Sequence, residues 1–197
     1  MSTTQEAAAD RHPRLAALDR RIDGLQERAR RVDTDVRTTA NRRVDDLRAR
    51  EAKARADLLD LRGAIAEERH ADLAEVDAEL CELEHEIEIA EAELDAEMVD
   101  DAEAFLEAGD RVAVAWDAYL DRLDERAEAA GDAAVERLRA SVTRARTVRD
   151  EARRRIDEAR RASKGSWSSR RKEVRQVFDD LDWAADQAAA DIARYFE

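Results

Sequence analysis

The sequence predicts an all-α protein of long amphipathic helices. Three observations carry this: apolar residues recur at steps of three and four, the commonest residues are strong helix formers, and turn residues are scarce. The 197-residue chain holds 41 Ala and 32 Arg but only five Gly and one Pro. That leaves too few turn residues for a β-sandwich or an α/β enzyme. A mean hydropathy of −0.74 and a net charge of −14 lean toward disorder, yet the apolar positions are periodic rather than scattered. Periodicity decides for helix.

Taken in order, residues 1–12 read as a disordered N-terminus, and His12-Pro13 marks a helix start, because Pro is tolerated in a first turn. Residues 13–162 read as one long coiled-coil-like region. Its seam opens with Leu15, Leu18, Ile22, Leu25, Ala29, Val32 and Val36. From Val36 it returns to apolar residues at Ile65, Leu94 and Leu123, in passes of 29 residues each. Glu51, Arg69 and Gly109 are its chief misfits. That spacing, about 3.63 residues per turn, suits a nearly straight helix. Ala fills many seam positions, so the stripe is narrow and suits one or two partner helices. Gly109-Asp110 and Gly131-Asp132 each read as a C′ glycine followed by an Asp cap, giving possible turns at 109 and 131. Thr38 to Asn41 is a weaker break, and Gly24 and Gly63 read as interior helix glycines. Residues 163–169 form a flexible linker, and 170–197 a C-terminal aromatic amphipathic helix.

Three arrangements remain open on this reading. Turning at Gly109 gives an antiparallel hairpin of arms 13–108 and 110–196; running through gives a helix to about residue 162, suited to an antiparallel helical assembly. A compact bundle broken at several of these points is the third.

Charge is strongly blocked. Residues 67–108 carry one basic and 18 acidic side chains, whereas residues 137–175 are net +10 and residues 1–66 are net +3. An acidic helix repels itself, so an oppositely charged surface should lie beside it. The reading pairs the acidic 67–108 block with the basic 137–175 block, antiparallel about residue 121, within one chain or between two. Trp116, Tyr119, Leu120 and Leu123 then fall near the crossing, and Arg153, Arg154 and Arg155 set the register. On that reading, reversing the three arginines to Glu weakens assembly.

Chemistry-bearing patterns are sparse. Glu67/His70 and Glu82/His85 have the Glu-x-x-His spacing of carboxylate metal sites, but they lie 15 residues apart on one helical pattern, so no metal is expected. Cys81 is the sole cysteine, which excludes a disulfide framework. No nucleophile triad or phosphate-binding glycine loop occurs, so neither an enzyme nor a cofactor is expected. The arginines of 153–172, with Trp167, invite a nucleic-acid reading that the net charge opposes. Arg160-Arg161-Ala162-Ser163 resembles a basophilic kinase site. The chain start lacks the pattern of a secretory signal and no apolar run reaches about 18 residues, so a cytoplasmic protein is expected.

Five of the eight aromatics lie in 167–197: Trp167, Phe178, Trp183, Tyr195 and Phe196. With Leu181 and Ile192 they read as a helix that either caps the Ala-rich seam or docks on a protein or lipid surface. The expected function is a non-enzymatic scaffold or adaptor, acting by self-association as a homo-oligomer or by packing along another helical protein. The stretches from Leu25-Gln-Glu-Arg-Ala-Arg through Arg48-Ala-Arg also resemble apolipoprotein-like proteins. That resemblance implies the alternative, an amphipathic coat on a lipid droplet, granule or membrane surface.

Overall fold

The computed structural model describes residues 3–60, 68–129, 132–162 and 166–196; side chains are described over 11–34, 36–60, 73–129, 135–162 and 166–195. These residues form six helices and no strand: α1 (Thr3–Ala29), α2 (Thr34–Asp60), α3 (Glu68–Glu97), α4 (Ala102–Ala129), α5 (Asp132–Arg161) and α6 (Trp167–Phe196). Each has 27–30 residues, about 40–45 Å of helix. They divide into two units, Met1–Glu97 and Met98–Glu197. The all-α expectation holds. The two-armed hairpin and the through-helix do not, because the chain leaves the helix at residues 30–33 and 98–101.

Narrow stripes explain why each unit has three helices. In the first unit, Leu15, Leu18, Ile22 and Leu25 of α1 meet Val44, Leu47 and Leu58 of α2 and Leu80, Leu83 and Ile87 of α3 in one buried cluster. Two stripes this narrow leave each other's edges wet; a third helix closes the core. Helix directions follow from the ion pairs. Arg48 of α2 reaches Asp23 and Gln26 of α1 at 2.8 and 2.7 Å, and Arg55 lies 3.8 Å from Asp19, which is an antiparallel order. Arg43, Arg50 and Lys53 ascend α2 as Glu93, Glu86 and Glu79 descend α3, antiparallel again. α1 and α3 are therefore parallel.

The second unit repeats the up-down-up order, with α5 packed against both α4 and α6. Asp101 Oδ1 accepts hydrogen bonds from the Glu103 and Ala104 amides at 3.0 Å each, so it is the cap of α4. Gly109 does not turn the chain. It is buried inside α4, where an added Cβ would lie 3.3 Å from Ile156 Cδ1 and 3.8 Å from Phe178 Cζ. Its missing side chain serves close approach of α4 to its neighbours, a role that reads in sequence like a C′ glycine. Gly131 and Gly63 lie outside the described residues.

Other boundaries also differ from expectation. α1 starts at Thr3, so residues 3–12 are helical rather than disordered, and Pro13 sits inside the helix on an exposed face. Its missing amide forgoes one backbone bond, while its neighbours on α1 gain core contacts. Thr38 to Asn41 lie within α2; the break comes earlier, where Asp33 precedes Thr34 and its carbonyl accepts the Arg37 amide at 2.8 Å. α6 starts at Trp167, three residues before the expected start, and part of the expected linker (163–165) lies outside the described residues.

Two glycines separate the roles of space and propensity. Gly24 has nothing within 4 Å of a built Cβ, so Gly24→Ala should stabilise the chain by about 0.5–1 kcal/mol in urea unfolding. Gly109→Leu forces a large side chain against Ile156 and should cost about 1–3 kcal/mol in the same measurement.

Candidate interaction surface

The acidic helix α3 needs a basic neighbour, and its own unit supplies one. Arg11, Arg14, Arg21 and Arg28 of α1 pair with Asp77, Glu84, Glu91 and Asp95 of α3. Arg14 Nε donates to Glu84 Oε1 at 2.9 Å, and Arg21 Nη2 to Glu91 Oε2 at 2.7 Å. Arg14, Arg21 and Arg28 are spaced by sevens, so they lie on one flank of the seam, and their partners Glu84, Glu91 and Asp95 follow at steps of seven and four. Arg14 holds the Glu84 carboxyl below the ordinary glutamate range by its hydrogen bond, against the opposing effect of burial. Glu79 shifts the other way, because burial outweighs its bond to Lys53.

The opposite charge that the 67–108 block was expected to find in the 137–175 block is supplied to α3 inside its own unit. Among the described residues, the ion pairs of α3 with other helices run to α1 and α2. Those of the basic helix α5 run mostly to α4: Arg139 to Glu128 at 2.6 Å, Arg146 to Asp121 and Asp124, Arg149 and Arg153 to Asp117, and Arg160 to Asp110. Block charge sums over all faces of a helix, whereas pairing is decided face by face. The near-neutral stretch 1–66 supplies the cations because its arginines sit on the flanks that meet α3.

The residues expected at a crossing are core residues instead. Trp116, Tyr119, Leu120 and Leu123 are buried within α4's own unit, with the Trp116 and Tyr119 rings edge-on at 5.7 Å. Their large side chains mark the thick end of a core, which in sequence looks like an interface. Arg153 bonds Asp117, Arg154 pairs with Glu151 and Glu158, and Arg155 adds Glu173 of α6 to the same two carboxylates. Arg153 thus ties α5 to α4 and Arg155 ties it to α6, whereas these pairs of Arg154 lie within α5 itself.

On α6, Phe178, Leu181 and Ile192 are buried. Trp167 meets Phe105 edge-on at 5.5 Å, and the Arg171 guanidinium lies 4.7 Å from the centre of the Phe105 ring. Phe105 is a position of the apolar seam in its pass from Leu94 to Leu123, whereas no periodic signal in the sequence singles out Arg171. Beside it lies an open concavity of about 700 Å³ between the start of α4 and the ends of α5 and α6, lined by Leu106, Ala159, Trp167 and the acidic Asp100, Asp101, Glu103 and Glu107. Trp183 is 64% exposed and Tyr195 48%, whereas the Phe196 side chain lies outside the described residues. Trp183 stands on the side of α6 away from Leu181 and Ala185, among Asp179, Asp180, Asp186 and Gln187. An exposed indole in that setting is the most conspicuous apolar feature of the surface. Val114, Leu59 and Met98 are the other large apolar side chains exposed among the described residues.

Among the described residues, no three or more His, Cys, Asp or Glu are grouped as metal ligands would be. His85 Nδ1 lies 3.5 Å from Glu88, and Glu67/His70 fall outside the described side chains. Cys81 is half-buried, and its Sγ accepts a hydrogen bond from Arg14 at 3.2 Å. No described helix is long and apolar enough to cross a membrane.

Because the Glu84 carboxyl titrates lower folded than unfolded, its pairing stabilises the chain above the ordinary value near 4.5 and is lost as pH falls through the folded value. Glu84→Gln should therefore cost about 0.5 kcal/mol at pH 7, and that difference in thermal melts should close on acidification. Asp117→Ala leaves Arg149 and Arg153 facing each other and should cost about 1 kcal/mol, less at 1 M salt.

No family model, curated protein or solved structure matches this chain.

Proposed function

We propose that this chain is a non-enzymatic helical scaffold or adaptor that packs against a helical partner, or a second copy of itself, through the outer face of α6. The observation that carries the reading is the 64% exposure of Trp183 on a helix whose opposite face is committed to its own core, with Tyr195 exposed at the end of the same helix. Exposed Trp and Tyr are common anchors in protein interfaces, and the carboxylates around Trp183 would favour a partner helix with Lys or Arg beside an apolar stripe. Ion pairs within each unit already occupy much of the acidic and basic blocks, so the blocks set register inside the chain and a partner is recognised elsewhere. A lipid coat is less supported: it wants broad apolar faces, and those of the six helices are buried in the two units.

Light scattering at 0.15 M and 1 M salt tests the proposal against the monomer mass of 22.3 kDa. A doubled mass that Trp183→Ala with Tyr195→Ala returns to the monomer supports self-association through α6. A monomer that captures a helical protein, with capture lost in the same double variant, supports an adaptor. A wild-type monomer whose binding properties the double variant leaves untouched overturns the reading.

A further inference from the structure

The two units share more than their helix count: one constant shift of 98 residues relates them. Leu18, Ile22 and Leu25 of α1 fall on Trp116, Leu120 and Leu123 of α4, all buried. Val44 and Ala54 of α2 fall on Val142 and Ala152 of α5, and Val76, Leu83 and Ala90 of α3 on Val174, Leu181 and Ala188 of α6. Thr34, which opens α2, falls on Asp132, which opens α5.

Polar contacts between helices follow the same shift. Asp23–Arg48 at 2.8 Å becomes Asp121–Arg146 at 2.7 Å. Asp19–Arg55 becomes Asp117–Arg153. Arg43–Glu93 at 2.6 Å becomes Ser141–Asp191 at 2.7 Å, with hydroxyl in place of guanidinium. A shift of whole heptads can align one amphipathic helix with another by itself. It does not align three helices across two connections, nor bring the same acid to the same arginine twice.

We infer that the chain is a tandem duplication of one three-helix module, and that the two copies unfold as separate cooperative units. Three contacts between consecutive helices are retained in both copies, whereas others have diverged: Arg50–Glu86 of the first copy falls on Val148 and Ala184 of the second, and the first-to-third-helix pairs differ as well. Arg14–Glu84 and Arg21–Glu91 of the first copy fall on Val112/Asp182 and Tyr119/Ala189 of the second, where neither can form an arginine–carboxylate pair. Separate unfolding follows from closure of the core: the buried cluster of the first copy runs from Leu15 to Leu94 and draws on its own three helices.

Hydrogen exchange of the full-length chain, read by mass spectrometry, tests this with matched variants at equivalent positions. Leu83→Ala should speed exchange by at least about tenfold across α1–α3 and by less than about twofold across α4–α6; Leu181→Ala should do the reverse. Val44→Ala and Val142→Ala form a milder matched pair that keeps the comparison readable if a leucine variant unfolds its unit outright. Acceleration across all six helices from a variant in either copy overturns the inference.

Discussion

Everything in this structure depends on burying apolar stripes that are too narrow to be buried in pairs. A Leu or Ile side chain removed from water contributes about 1.5–3 kcal/mol, but an Ala contributes far less. With Ala at positions such as Ala29, Ala54, Ala90, Ala145 and Ala188, a helix gains enough only when two neighbours cover it. The three-helix unit is the smallest arrangement that does this. A hairpin of two arms more than 100 Å long would leave one edge of every stripe in water.

Charge then selects among the ways three such helices could meet. Each exposed or half-exposed ion pair is worth about 0.2–1 kcal/mol and is screened by salt, so the pairs do not hold the units together. They penalise the wrong register. Sliding α3 by half a turn along α1 would set Glu84 and Glu91 off Arg14 and Arg21 and leave an acidic helix facing itself.

The two copies show how one plan accommodates different contents. In the second, the large side chains concentrate on α4, with Phe105, Trp116 and Tyr119, while α5 and α6 offer Ala145, Ala152, Ala185 and Ala188. In the first, Leu and Ile are spread over α1 and α3. Gly109 belongs to the same redistribution, since a helix carrying bulky aromatics gains from a point where its backbone can come close to Ile156. A helix from one copy would therefore leave cavities or clashes in the other, which keeps each set of three together.

Helix, the buried face of each helix and the small role of β structure were legible in the sequence, because a period near 3.6 is a local property of the chain. The seam residues Leu15 through Leu25 and Val76 through Leu94 are core residues in the structure as in the pattern. Most chain breaks were not legible: at 98–101 no Gly or Pro marks the turn, and the Asp33 and Asp101 positions are inconspicuous among 49 acidic residues. Of the candidate surface, the exposed Trp183 and Tyr195 lay among the aromatics that composition pointed to; the helical period sets Trp183 off the Phe178–Leu181 face but puts Tyr195 on it, and the exposure of Tyr195 was not legible. Local pattern by itself determined that this chain is helical and which stripe of each helix seeks burial. Only the tertiary structure decided which helices meet, which charges pair and which aromatics remain in water, because those depend on faces brought together from 25 to 70 residues apart.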